Sequence, residues 1–483
     1  MRFVQYYLDC LSQASYLIGD ETTGTAVVVD PRRDVYEYIA DAGRHELKII
    51  GVINTHFPSD FVAGHLELAH ATGAWIGYGR RAEADYPIRH LSDGDRIVLG
   101  DVTLQIMETP GHTPESISVL VYEHAADTTP YGVLTGDTLV ISDIARPDLV
   151  ASLGVTADEP ARMLYHSIGR LMALPDAVRV FPAHGARGRS PRRSSTIGEQ
   201  SRTTAACLPV DEDDFVALVE ARQSPTPGYF DHDVALNRSV HDLLYVRLAP
   251  LEIGDVLQRQ AQGALVVDAR DPEAFAAGHL RGSINVPADG RFAETAGSVA
   301  DPDDEVVLVT PQDRETELRT RLGRVGFDHV AGYLREPESA VVALPEQVDR
   351  AHRVTPTQLA TALAGSRPPV VLDVRAVDEL ADGAIFRARH IPLAELPRRL
   401  AEIPPQRPIV VYCAGGYRSS VAASLLRRNG WNEVADLLGG YEAWTEVLRN
   451  VPIARLRPFR LRDEADEASG MPATDTVVVR AEG

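Results

Sequence analysis

Apolar residues in the first half of the chain gather into short runs bounded by turn residues, the pattern of buried strands. Ser15-Tyr16-Leu17-Ile18 and Ala26-Val27-Val28-Val29-Asp30 read as hairpin-like strands separated by the turn residues Gly19 to Gly24. Val35 to Gly43 has a helical pattern. Four further runs read as strands: Ile49-Ile50-Gly51-Val52-Ile53, Thr103 to Met107, Gly132-Val133-Leu134-Thr135 and Val178-Arg179-Val180-Phe181. Each leads into a polar tip, at Thr55-His56, Gly111-His112, Gly136-Asp137 and Ala183-His184 respectively. One histidine after a strand carries little information. Four such tips in succession point to a site built on loops above a rigid sheet.

From about Leu251 the pattern becomes a weak internal repeat of buried strands alternating with helices. Val266-Val267-Asp268-Ala269-Arg270 is echoed by Val371-Leu372-Asp373-Val374-Arg375, and Val306-Val307-Leu308-Val309-Thr310 by Ile409-Val410-Val411-Tyr412-Cys413. Gly278-His279-Leu280 is paired with Arg389-His390-Ile391, and Gly332-Tyr333 with Gly440-Tyr441. The expected organisation is an α/β multidomain chain. One domain spans 1–245 and two α/β copies span 246–340 and 352–455. An acidic, flexible tail spans 463–483.

The length of 483 residues suits about three domains of ordinary size. No apolar run approaches the ~20 residues of a membrane helix, so no membrane association is expected. The start Met1-Arg2-Phe3-Val4 lacks the basic and apolar regions of a secretory signal, so a cytoplasmic location is expected. A net charge of −21 argues against nucleic acid, whose backbone is bound by clustered cations. Cys10, Cys207 and Cys413 are too few and too scattered for a disulfide framework.

The succession Thr55-His56-Phe57-Pro58-Ser59-Asp60-Phe61, Gly111-His112-Thr113, Gly136-Asp137-Thr138 and Pro182-Ala183-His184-Gly185 resembles the metallo-β-lactamase superfamily. The resemblance covers residues 1–245 and implies an αββα sandwich. In its first motif Pro58 and Phe61 stand where dinuclear zinc hydrolases have histidines, so each of two metals would lose a ligand. His56, His112 and Asp137 remain: two histidines and a carboxylate, the facial triad of non-haem Fe(II) oxygenases. Neighbouring segments, including Val29-Asp30-Pro31-Arg32-Arg33-Asp34 and Ala145-Arg146-Pro147-Asp148-Leu149, are similar to the persulfide dioxygenase branch and its rhodanese fusions.

That resemblance implies one Fe(2+) per chain, with O2 and a low-molecular-weight thiol persulfide as substrates, sulfite as product, and a homo-oligomer. Asp60 and His184 are then expected to orient a ligand or loop from outside the coordination sphere. Arg146 and Asp148 are expected to form an ion pair bracing a loop beside the site. Ala186 replaces a tyrosine that glutathione-using relatives carry, which sets mycothiol and coenzyme A beside glutathione as candidate carriers.

Tyr412-Cys413-Ala414-Gly415-Gly416-Tyr417-Arg418-Ser419-Ser420 follows the apolar run Ile409-Val410-Val411 and precedes a helical run, Val421 to Arg428. The segment resembles the active-site loop of rhodaneses. Its glycines allow backbone N–H groups to turn towards the sulfur, and the helix start adds positive potential. Cys413 is the expected sulfur carrier and Arg418 the guide for an anionic acceptor such as sulfite. Ala414, Gly415, Gly416, Tyr417 and Ser419 form the persulfide loop. The loop is one residue shorter than in related phosphatases, which suits a sulfur atom better than a phosphate. Thr310 occupies the cysteine position in the upstream copy, which therefore cannot carry sulfur this way.

Together the two sites imply oxidation of a persulfide to sulfite, coupled to sulfur exchange between persulfides and sulfite or thiosulfate. The competing readings are a dinuclear zinc thioester hydrolase like glyoxalase II fused to a rhodanese, and a sulfur-binding module with an inactive metal domain.

Overall fold

The computed structural model describes residues 1–141, 158–185, 192–204, 207, 211–221, 227–450, 456–458 and 479–481. The chain divides into two units. The first holds Met1–Arg247 with Asp301–Asp303 and Thr316–His329, and the second holds the remainder.

In the first unit, strands Arg2–Leu8, Gln13–Asp20, Thr25–Val29, Lys48–Ile53, Trp75–Gly79 and Arg89–Leu91 form one six-stranded sheet in chain order. Arg96–Val98, Thr103–Glu108, Ile117–Tyr122, Gly132–Gly136, Arg179–Pro182 and Ser195–Thr196 form a second, also in chain order. The period-two alternation of each strand sorts its side chains between two cores. Val27 and Val29 join Ile53, Ile106, Val119, Val121 and Phe181 between the sheets. Ala26 and Val28 pack on the opposite face with Tyr38 and Ala42 of helix Tyr36–Arg44. On the far side of the second sheet, Leu120, Val133 and Val180 pack against Leu171 of helix Asp158–Met172. Helices thus cover both outer faces of two stacked sheets, the αββα sandwich expected.

The segment Thr316–His329, although it belongs to the first α/β copy in sequence, groups with this unit. Arg324 forms a two-pronged pair with Asp34 at 2.8 and 2.6 Å, and its carbonyl accepts from Val62 N–H at 2.7 Å. Asp328 lies 2.7 Å from the fully buried guanidinium of Arg33, which also meets Glu67 at 2.8 Å.

The second unit contains two five-stranded parallel sheets of one topology. Pro250–Leu251, Val330–Leu334, Val306–Val309, Leu265–Asp268 and Ile284–Asn285 make the first. His352–Val354, Val434–Leu437, Ile409–Tyr412, Val370–Asp373 and Arg389–His390 make the second. Asp268 registers with Val309 as Asp373 does with Tyr412, so Thr310 and Cys413 follow equivalent strand ends.

One repeat pairing needs correction. His390 registers opposite Asp373 as Asn285 does opposite Asp268, so the counterpart of His390 is Asn285, not His279. Gly278 instead matches Gly383, because their carbonyls accept from Arg270 and Arg375. The histidines coincide in sequence, but parallel pairing with the Asp-tipped strand sets the register. Within the expected tail, Val479–Ala481 pairs antiparallel with Leu456–Pro458. Among the described residues, no helix is long and apolar enough to cross a membrane.

Candidate functional site

Three strand tips bring His56, His112 and Asp137 together, with a ligand atom from each lying within 4.8 Å of the others. His112 Nε2 is 3.7 Å and His56 Nε2 4.0 Å from Asp137 Oδ2, the open spacing of groups that share a central ion. Gly136, at φ +52°, lets the Asp137 tip approach Thr55; a Cβ there would lie 2.6 Å from Thr55 Oγ1.

Thr55 and Asp30 fix His56 from behind. Asp30 sits in the left-handed region (φ 51°), which aspartate tolerates better than most residues, and its carboxylate accepts from Thr55 N–H at 2.7 Å. The Thr55 hydroxyl donates to the same carboxylate at 3.0 Å and accepts from His56 Nδ1–H at 3.0 Å. This leaves the Nε2 lone pair facing Asp137. Burial, then the neighbouring His112, lowers the His56 pKa to about 3, so the ring is neutral as a metal ligand must be. Burial lifts the Asp30 carboxyl to about 7, despite the Thr55 hydrogen bonds that oppose the shift.

His184 is held differently. Its Nδ1–H donates to both Asp137 oxygens at 2.7 and 2.9 Å, and Nε2 lies 3.0 Å from Asp60 Oδ2. Burial alone would lower the His184 pKa, but Asp137 and Asp60 raise it well above its ordinary value. Burial would raise the Asp137 carboxyl, yet His184, His112 and His56 hold it far below the usual range. Both His184 nitrogens thus face carboxylates. Arg146, Asp148 and Ala186 lie outside the described residues.

The triad suits a single divalent ion: two imidazole nitrogens and one carboxylate converge, and the fourth metal-binding side chain is diverted into an ion pair. Phe61 lies beside the His184 ring, with centroids 6.3 Å apart, where a further histidine would be needed for a second ion.

The loop between His56 and Gly64 is clamped by Asn237, which is wholly buried. Asn237 Nδ2 donates to the carbonyls of Pro58 (2.8 Å) and Phe61 (2.9 Å), and its Oδ1 accepts from Ala63 N–H (2.8 Å). Glu115 accepts from Phe57 N–H at 3.1 Å. Asn237→Ala strands three buried backbone groups, each costing about 1–3 kcal/mol when unmade. We expect a stability loss above about 2 kcal/mol in a denaturant titration. A loss under a few tenths of a kcal/mol would show that the clamp is not structural.

In the second unit, Cys413 is buried at the end of strand Ile409–Tyr412 and helix Tyr417–Arg428 begins at the loop's far end. The helix starts earlier than its apolar pattern suggests. Gly416 N–H points at Cys413 Sγ from 3.1 Å, and the Ser419 hydroxyl lies 3.7 Å from the sulfur. Gly440, at φ +58°, lies against the loop; a Cβ there would lie 2.3 Å from Ala414 O. Arg418 is gripped by Glu379 at 2.6 and 2.7 Å, so its charge is already balanced before any anion arrives.

Asp373 and Arg375 form a buried two-pronged pair that also ties Tyr412 and the Gly383 carbonyl. Asp268 and Arg270 repeat that brace. Thr310, at the cysteine position of this first copy, is buried.

Asp30, Thr55, Asn237 and Glu379 are the site residues that sequence reasoning missed. Asp30 and Thr55 left a trace, at the polar ends of apolar strands; Asn237 and Glu379 are paired by tertiary contacts.

Comparison with known proteins agrees with this fold. The metallo-beta-lactamase superfamily model matches residues 8–184, and the rhodanese-like domain model matches residues 252–335 and 355–447. A crystal structure of a metallo-beta-lactamase from Staphylococcus aureus subsp. aureus COL is similar at 31% identity and TM-score 0.63, over 69% of this chain and 99% of that one. The mitochondrial persulfide dioxygenase of Bos taurus is 28% identical over 232 residues, 46% of this chain and 82% of that protein. A beta-lactamase hydrolase-like protein of Xylella fastidiosa (strain 9a5c) is 28% identical over 261 residues. That match covers 47% of this chain and 57% of the relative, so it spans little more than half the relative's length. The chain belongs to the metallo-β-lactamase superfamily. Its particular architecture is a metallo-β-lactamase domain followed by tandem rhodanese-like domains.

Proposed function

We propose that the first unit is an Fe(II)-dependent persulfide dioxygenase, and that Cys413 moves sulfane sulfur between thiol persulfides and sulfite or thiosulfate. The observation that carries the reading is the converging triad His56, His112 and Asp137, with His184 withdrawn between Asp137 and Asp60. Similarity to persulfide dioxygenases over the same segment supports it.

Ferrous iron bound there supplies the electron transfer that dioxygen chemistry requires. The chain's part would be to hold the ion with two imidazoles and one carboxylate, His56, His112 and Asp137. Thr55 and Asp30 keep the His56 lone pair aimed inward. The His184 cation keeps Asp137 ionised. Overall, persulfide, O2 and water give thiol, sulfite and two protons; the outer sulfur loses the four electrons that dioxygen gains.

At Cys413 a thiolate attacks the outer sulfur of the donor, and the donor's S–S bond breaks to release a thiolate. The new Cys413 persulfide is then attacked by sulfite sulfur, giving thiosulfate and restoring the Cys413 thiolate. Gly416 N–H faces the Cys413 sulfur. A cytoplasmic location and a homo-oligomer belong to the same reading.

Turnover of glutathione, mycothiol and coenzyme A persulfides identifies the carrier. Mycothiol or coenzyme A persulfide is expected to give the higher kcat/KM, and a strong preference for glutathione would overturn that assignment.

A further inference from the structure

The Cys-less repeat offers no nucleophile, yet it borders the Cys413 helix. Asn285 ends strand Ile284–Asn285 and is wholly buried. Its Nδ2 donates to the carbonyls of Asp268 (3.0 Å) and Arg270 (2.9 Å), which fixes the amide within its own repeat. The Oδ1 then accepts from the Ser420 hydroxyl of the Cys413 helix at 2.6 Å. The Asn285 backbone N–H donates to Ser424 Oγ, one turn further along that helix, at 2.9 Å. The Tyr417 hydroxyl donates to Pro287 O at 3.1 Å, and its ring covers Gly290.

The equivalent position in the Cys-bearing repeat shows what has been added. His390 occupies the register of Asn285, and its Nε2 meets the Arg375 carbonyl at 2.8 Å, matching the internal bond from Asn285 to Arg270. Asn285 makes that internal bond and also presents an acceptor to Ser420. Ser420 directly follows Ser419, which contacts both Cys413 Sγ and the Gly416 carbonyl. The N–H groups and positive potential that stabilise a sulfur anion act only within the first helical turn. A small displacement of that turn therefore weakens their grip on the sulfur.

We propose that the Cys-less repeat is the fixed wall of the sulfur cradle, with Asn285 a positioning residue that sets the start of the Cys413 helix through Ser420. This rests on the reading of Cys413 as sulfur carrier.

The test uses the full chain with thiosulfate as donor and cyanide as acceptor. Ser420→Ala removes the bridge, Ser420→Thr keeps the hydroxyl, and Cys413→Ser is the reference. In Ser420→Ala we expect kcat to fall about tenfold or more, as misplaced reacting groups do, with KM within about twofold. Iodoacetamide should alkylate Cys413 more slowly at fixed pH. Ser420→Thr should restore both, along with the small loss in melting temperature that one unmade buried hydrogen bond causes in Ser420→Ala. Should Ser420→Ala fail to fold, Tyr417→Phe removes the parallel bond to Pro287 and is expected to shift kcat in the same direction. Wild-type kcat in a folded Ser420→Ala or Tyr417→Phe protein, beside an inactive Cys413→Ser, overturns the proposal and leaves the carrier reading intact. Undiminished transfer in Cys413→Ser overturns the carrier reading itself. A loss in Ser420→Ala matched by a lower melting temperature, and not rescued by threonine, also counts against the proposal.

Discussion

Asp137→Ala is expected to abolish persulfide-dependent oxygen uptake and to leave the chain unable to retain iron through desalting. The side chain acts twice: it supplies the only anionic member of the triad, and it accepts both contacts from His184 Nδ1. Without it two neutral imidazoles would face a dication, and the buried His184 cation would retain only Asp60. Loss of an outer partner of a metal ligand typically costs about 10–100-fold in affinity or activity; loss of a ligand costs more. Asp60→Asn is the graded comparison, with the smaller, roughly 10–100-fold effect. Measured iron content and oxygen-electrode rates separate the two. Retention of iron and uptake by Asp137→Ala would remove the triad from the mechanism.

Cys413→Ser is expected to abolish sulfur exchange with thiosulfate while leaving oxygen uptake at its unmodified rate. A serine hydroxyl is a poor nucleophile at neutral pH and cannot carry a persulfide sulfur. The other repeat holds no cysteine at the matching position. Thr310 stands at the matching position of the other repeat, and burial raises the Cys207 thiol to about 12, which keeps it protonated. Thiosulfate formed from persulfide and sulfite should vanish, while sulfite formed with O2 persists. Persistence of both products would show that sulfur moves without the cysteine.

The sheets were legible because their strands are short apolar runs whose alternation serves two cores, as in Val27 and Val29 against Ala26 and Val28. The triad was legible for a related reason: His56, His112 and Asp137 lie at or just beyond strand ends, where the backbone turns out of the sheet. The groups that tune these residues were not. Asn237 reaches the His56–Gly64 loop from a distant helix. Glu379 meets Arg418 from 39 residues upstream. The repeat was recognised but misregistered at His390, because matching residue types carried more weight than the pairing of strands. Arg418, expected to guide an anionic acceptor, is paired with Glu379, a partner that no local motif announces.

The most direct test of the central claim is oxygen consumption by iron-loaded protein supplied with a thiol persulfide, with sulfite and bound metal measured on the same sample. The proposed function predicts one iron per chain and equimolar O2 consumed and sulfite formed. Two zinc ions per chain, with thioester hydrolysis and no oxygen uptake, would contradict it.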